Sequence, residues 1–326
     1  MKIIIDAMGG DNAPKSNVLG AMLAVDAFND VEIILVGVED KINEYLSKDY
    51  VERISVVNAS EVIETEDEPV KAVRRKKASS LVVAANLIKE EHAEALISAG
   101  NTGALMTAGV LITGRIKGIE RPALATVLPT TVGRGMLLLD SGANMDPSPE
   151  QLLQYAIMGN VYAKEVMGVN NPRIGLLNVG TEDTKGNELM KSTFPLLKEQ
   201  KINFIGNVEA RDLPAGICDV LIADGFSGNI VLKLTEGVAM SLLKMLKNEL
   251  LSSTRTKLGA LLLKPVFKNL KKMTDYSEVG GAPLLGLKGA FIKAHGSSNE
   301  VAIMNAVRQA RLFIRGEVIS KVEKGL

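Results

Sequence analysis

Short apolar runs rich in β-branched residues alternate with stretches of helical period along almost the whole chain. Lys2–Ile5, Ile33–Val36, Ile54–Val57, Ala95–Ile97, Ala123–Leu128, Met136–Leu139, Ile174–Asn178, Phe204–Gly206 and Val220–Ala223 read as strands. Most are continuously apolar, as a sheet covered on both faces requires. Asn17–Phe28, Leu81–Glu91 and Glu150–Met167 read as helices. Ser148, Pro149 and Gln151 supply a cap, a first-position proline and a capping-box partner for the third of these. Ser297-Ser298-Asn299-Glu300 gives a start signal to a last helix over Val301–Gly316. Alternating strands and helices predict a three-layer α/β/α sandwich. There is no low-complexity linker to mark a domain boundary.

In this pattern, five strands run through a polar, mostly glycine-containing loop straight into a helix. The loops are Asp6–Asn12, Ala99–Gly103, Gly180–Asn187, Asp224–Asn229 and His295–Asn299. A helix start offers unpaired N–H groups, and glycine lets a ligand come close to them, so such loops suit an anion, above all phosphate. Together they predict one polar site built from several strand ends. Its candidate binding residues are Asp6, Gly9, Gly10, Asn12, Asn101, Thr102, Gly103, Gly180, Thr181, Asp224, Gly225, Ser227, Gly228 and Gly296.

Composition narrows the ligand. Lys+Arg and Asp+Glu both number 38, and Trp is absent, which argues against nucleic acid as the main ligand. The single Cys218 excludes an internal disulfide and fits a reducing cytoplasm. His92 and His295 leave little material for a zinc site, and His92, within KEEHAE, reads as a solvated helix residue. Asp140, Asn144 and Asp146 are open to metal ligation, but turn and cap roles fit them better. The N-terminal apolar run is too short for a signal peptide. Ala95–Gly114 is long and uncharged, yet its polar residues and glycines favour a strand end, a loop and a buried helix over a membrane span.

One segment departs from the α/β pattern. Leu250–Thr274 carries six basic residues and no acidic one. Leu258, Leu261 and Leu262 share a helical face before Pro265, with Lys264 beside them; Val266, Phe267 and Leu270 share one after it, with Lys268 between. Proline at that point predicts a helical hairpin. Each half is about 18 Å long as helix, too short to span a hydrocarbon core of about 30 Å. A basic amphipathic hairpin can lie on an anionic membrane surface; an ordinary helix pair packed on the core or on a partner subunit fits the same pattern.

Three loops carry candidate chemistry. DAMGGDNAP at Asp6 lacks the dinucleotide spacing. NVGTEDTKGNEL at Asn178 sets Lys185 among glycines and hydroxyls but lacks the ATP-loop spacing. ADGFSGN at Ala223 resembles a nucleophile elbow, with Asn229 in place of the last glycine; Ser227 and Asn229 suit hydrogen bonds to a substrate oxygen better than a covalent role. His295 before its glycine can donate a proton, bind an anion or make a structural hydrogen bond.

Taken in order, DAMGGDNAP, RRKKASS at Arg74, ISAGNTGAL at Ile97, RPALA at Arg121, DSGAN at Asp140, NVGTEDTKGNEL, ADGFSGNIVLK, GGAPLLG at Gly280 and AHGSSN at Ala294 resemble the phosphate acyltransferase family of bacterial phospholipid synthesis, the PlsX type. The resemblance implies attack of inorganic phosphate on a fatty acyl thioester of acyl carrier protein, with no metal or other cofactor. It implies one domain over 1–326 of two intertwined α/β halves around a mixed sheet, like isocitrate and isopropylmalate dehydrogenases, with a basic hairpin at 250–274. It further implies a cytoplasmic homodimer, peripheral attachment to the inner face of the cell membrane, and delivery of acyl phosphate to a membrane glycerol-phosphate acyltransferase. In that setting Lys185 would neutralise phosphate and oxyanion, Asn229 would orient one of them, and His295 would assist. Arg74, Arg75, Lys76 and Lys77 would meet the acidic carrier protein. The alternatives are a phosphotransacetylase-like enzyme acting on acyl-CoA and a non-catalytic membrane scaffold.

Overall fold

The computed structural model describes residues 1–267 and 280–326. Along the chain run β1 (Lys2–Asp6), α1 (Lys15–Ala27), β2 (Glu32–Gly37), α2 (Glu39–Asn43), β3 (Ile54–Asn58), α3 (Pro69–Arg75), α4 (Ser80–Lys89), β4 (Ala95–Ser98) and α5 (Thr102–Ala108). Then come β5 (Ala123–Leu128), β6 (Met136–Leu139), α6 (Pro149–Glu165), β7 (Ile174–Asn178), α7 (Glu188–Glu199), β8 (Phe204–Glu209), β9 (Val220–Ile222), α8 (Gly225–Leu250) and α9 (Thr254–Leu262). The chain closes with β10 (Ala282–Leu285), β11 (Ala290–Lys293), α10 (Glu300–Arg315) and α11 (Val318–Gly325).

The strands make one 11-stranded sheet in the order β3-β2-β1-β4-β11-β10-β5-β6-β9-β7-β8. It is mixed, as expected. β1 to β5 and β11 run one way, and β6 to β10 run the other. The strands read from the sequence all form; β10 and β11, at the centre of the sheet, were not among them. Each is four residues long, and β10 contains Pro283, which lowers strand propensity.

Strand alternation divides the core. Ile3 and Ile5 enter a cluster that also holds Leu137, Leu139, Ile174 and Ile222, so one face runs under strands of both directions. Ile4, Leu96 and Phe291 point to the opposite face, among residues of α4 and α5. Leu138 and Leu221 form a third cluster, against which Val231 and Leu232 of α8 pack. Each fully buried aliphatic side chain contributes about 1.5–3 kcal/mol, which holds the strand ends that carry the loops.

The helix starts follow local chemistry. Ser148 Oγ accepts from the Gln151 amide at 3.3 Å, and Gln151 Oε1 accepts from the Ser148 amide at 3.2 Å, completing the predicted capping box. At the last long helix the cap is Asn299, which accepts from the Ala302 amide at 2.9 Å. The uncharged stretch from Ala95 resolves into β4, a loop and α5, and no helix among the described residues is long and apolar enough to cross a membrane.

The first half of the basic segment contains α9. After the 26-residue α8, a turn leads into α9, which buries no residue. Leu258, Leu261, Leu262 and Val266 are 66%, 75%, 83% and 51% exposed, so this apolar face does not rest on the chain's own core. Lys264 is exposed and Phe267 half-buried. Lys268, Leu270 and the rest of the predicted second half lie outside the described residues.

Candidate active site

The polar loops fall into two groups. The first sits at the ends of β1, β4 and β11, which are parallel neighbours. Asp6 closes β1 and is buried; its Oδ2 accepts from Ser98 Oγ at 2.7 Å and its Oδ1 from the Met8 amide at 3.3 Å. Burial pushes its carboxyl above the usual range, against the pull of these hydrogen bonds. Asn17, buried on α1, donates its amide to the carbonyls of Asp6, Ala7 and Gly9 and so pins the first loop. A Cβ on Gly9 would stand 2.7 Å from the Gly100 nitrogen, and one on Gly10, where φ is +99°, would stand 2.8 Å from the Ala99 side chain. The Asp11 amide donates to Gly296 O at 2.8 Å, and Asn12 Nδ2 donates to the carbonyls of Ser297 and Ser298. Lys293, the last residue of β11, donates to Ala99 O at 3.2 Å and also to Ala294 O. Burial lowers its pKa to about 8, while Asp11 and Asp6 pull the other way.

His295 is exposed, and its Nδ1 accepts from the Ser297 amide at 3.2 Å and lies 2.8 Å from Ser297 Oγ. Asn101 is occupied structurally. Its Oδ1 caps α5 through the Ala104 amide, and its Nδ2 donates to the carbonyls of Glu64, Thr65 and Asp67. Gly103 permits the close approach of Pro69, and Thr102 is exposed beside it.

The second group sits at the ends of β6, β9 and β7, again parallel neighbours. Its centre is Asp140, fully buried. It accepts from the amides of Leu124, Gly142, Ala143 and Asn144 and from the Asn144 side chain. Burial still raises its carboxyl. Among the described residues no cluster is suited to a metal, and the turn role expected of Asp140 and Asn144 is the one these bonds describe. Against this loop lies the start of α8. A Cβ on Gly228 would come 1.9 Å from Asp140 O, one on Gly225 would come 2.5 Å from Asn144 O, and one on Gly142 would meet Asn229 at 3.4 Å. Asp224 is the helix cap, accepting from the Ser227 amide at 2.8 Å, so its carboxylate is engaged locally; Ser227 and Asn229 are half-buried at the helix start.

The Gly180–Asn187 loop is fastened from below. Asn178 Nδ2 donates to Lys185 O at 3.0 Å and Asn207 Nδ2 to Glu182 O at 2.8 Å. Gly180 packs against the Lys185 stem, and Thr181 is exposed. Lys185 Nζ is 4.0 Å from Glu182 Oε1, in a pair whose side chains are 52% and 63% exposed. Such a pair is worth little and releases its lysine readily.

Within each group the loops are hydrogen-bonded or adjoin on parallel strands. By strand direction the two groups lie on opposite edges of the sheet. Sequence reasoning missed Asn17, Ser98 and Lys293. Asn17 and Ser98 sit inside otherwise apolar elements where polarity carries no period, and Lys293 lies on the unrecognised β11.

A family described as "Fatty acid synthesis protein" matches residues 1–321. A phosphate acyltransferase of Geobacillus sp. (strain WCH70) is 59% identical over 326 residues, covering 100% of this chain and 98% of that protein. One from Bacillus licheniformis is 59% identical over 324 residues, covering 99% and 98%. Among solved structures, a phosphotransacetylase from Streptococcus pyogenes superposes with a TM-score of 0.62 at 16% identity, over 96% of this chain and 94% of that one. A branched-chain phosphotransacylase from Enterococcus faecalis V583 gives 0.60 at 14% identity, over 95% and 98%. A 4-hydroxythreonine-4-phosphate dehydrogenase from Burkholderia phymatum gives 0.52 at 13% identity, over 95% and 98%. These structural likenesses concern the fold.

Proposed function

The chain belongs to the fatty acid synthesis protein family, and on that premise we propose that it transfers a fatty acyl group from the thioester of acyl carrier protein to inorganic phosphate. It is an acyltransferase of the phosphate acyltransferase kind, as its full-length relatives are named. A phosphate oxygen attacks the thioester carbonyl carbon, a tetrahedral oxyanion forms, and the C–S bond breaks. The products are acyl phosphate and the carrier's thiolate. Phosphate is already ionised near neutral pH. A thiol of pKa about 8.5 leaves without obligatory protonation. The site therefore needs donors and positive charge more than a strong base.

The observation that supports this reading is that the loop holding Lys185 and the helix start holding Asn229 follow neighbouring parallel strands, β7 and β9. Lys185 meets the negative charge that forms on the oxyanion, Asn229 orients the oxyanion or the phosphate, and His295 assists. The glycine loops supply backbone donors. The chain works as a single domain of two intertwined halves, paired as a homodimer in the cytoplasm. Exposed Phe226, Ile230, Leu234, Val238, Leu242 and Met245 on α8 support a partner surface. Arg74, Arg75 and Lys77 are exposed at the end of α3 and its following turn, while Lys76 is engaged by Asp67 at 2.5 Å. The exposed three remain suited to an acidic carrier protein. The α9 face suits an anionic membrane surface, from which acyl phosphate passes to a membrane glycerol-phosphate acyltransferase.

The test is thiol release with and without phosphate, from acyl carrier protein and from acyl-CoA. Phosphate-dependent release that is faster from the carrier protein is expected. Preference for acyl-CoA would favour a phosphotransacetylase-like enzyme, and no release at all would leave a scaffold.

A further inference from the structure

We infer that Lys293 is the cation that holds the phosphate nucleophile in the first loop group. Three observations converge on this side chain. It stands at the end of β11, a strand that pairs with β4, and its ammonium donates to the carbonyls of the residues that follow the two strands, Ala99 O and Ala294 O. An ammonium has three N–H donors, and among the described residues no protein acceptor takes the third. The loops around it are those whose glycines leave no room for a Cβ: Gly9 against Gly100, and Gly10 against Ala99 and Gly296.

A half-buried cation satisfied only by neutral carbonyls is short of negative charge. The carboxylates that act on it, Asp6 and Asp11, do so through space rather than as an ion pair. Asp6 is further engaged by Ser98 and the Met8 amide. A phosphate oxygen placed on the third N–H supplies the missing charge in a place of reduced dielectric, where charge-assisted hydrogen bonds are strong. Exposed Lys185, in the second group, is left to meet charge that develops on the acyl carbon's oxygen. The inference rests on the acyl-transfer reading for its reaction, but phosphate binding itself does not require an acyl donor.

The probe is inorganic phosphate, titrated by calorimetry into wild type, Lys293→Met, Lys293→Arg and Lys185→Ala, with melting temperature recorded for each. Phosphate should bind Lys293→Met at least tenfold more weakly, recover in large part in Lys293→Arg, and bind Lys185→Ala within about threefold of wild type. Because loss of Lys293 also loosens two loops, wild-type protein gives a second reading. A small amine-acylating reagent, followed by peptide mass spectrometry, should modify Lys293 more slowly when phosphate is present. Unchanged phosphate affinity in a folded Lys293→Met, or labelling of Lys293 indifferent to phosphate, overturns the inference. Phosphate protection of Lys293 in a protein that makes no acyl phosphate would overturn the proposed reaction and leave this site standing.

Discussion

The loops at Asp6, Ala99 and His295 and the loops at Asp140, Gly180 and Asp224 share a plan, strand to polar turn to helix, but are built in opposite ways. In the first group the charge is inside. Asp6 is buried, Lys293 is half-buried, and Asn17 ties three backbone carbonyls from beneath. In the second the interior charge is Asp140, spent on backbone and amide donors, while the cation, Lys185, stands out in solvent. The difference suits two tasks. A small ion that must be desolvated and held is served by a fixed interior cation. A carbonyl that arrives on a bulky carrier and gains charge only during reaction is served by a reachable lysine beside a rigid helix start.

The sharpest structural contrast is between glycines of the two groups. Gly228→Ala places a methyl 1.9 Å from Asp140 O, so α8 must move away from the Asp140 loop. A loss of about 3 kcal/mol or more is expected, read as a fall in melting temperature. Gly296→Ala meets nothing closer than 3.6 Å and should be near neutral for stability. Equal melting temperatures for the two variants would show that the α8 start is not held as described. Next in size, Lys185→Ala should cut acyl-phosphate formation about a hundredfold, the scale of losing one oxyanion donor; near-normal turnover would remove Lys185 from the mechanism.

Most of the frame behind this contrast was legible in the sequence. The apolar runs became strands, and Ser148 with Gln151 formed the predicted capping box. The five loops were visible because glycine and amide residues follow apolar strands. Their sorting into two groups was not, because strand direction depends on pairings such as β10 with β5, between residues far apart in the chain. Asn101 and Asp224 read as ligand contacts and serve as helix caps, a role the same side-chain chemistry fits equally well. Lys293 was hidden because β11 is only four residues long and begins directly after Gly289.

Two smaller effects probe the first group alone. Asn17→Ala strips donors from three loop carbonyls and should cost about 2 kcal/mol of stability, with a raised KM for phosphate; an unchanged KM would mean the loop does not shape the phosphate site. Lys293 also gives the fold a pH signature. Its folded pKa of about 8 lies below the model-compound value of 10.5, so between these the unfolded chain holds more protons. Stability attributable to this group therefore rises with pH across that window. Lys293→Met should flatten the rise in melting temperature between pH 8 and pH 10 relative to wild type; parallel profiles would contradict the assigned burial.

The division of labour between the loop groups is tested most directly by steady-state acyl-phosphate formation from acyl carrier protein at varied phosphate, in wild type, Lys185→Ala and Lys293→Met. Lys185→Ala should lower kcat with little change in the phosphate KM, and Lys293→Met should raise the phosphate KM with a smaller change in kcat. Identical changes in both parameters for the two variants would contradict it.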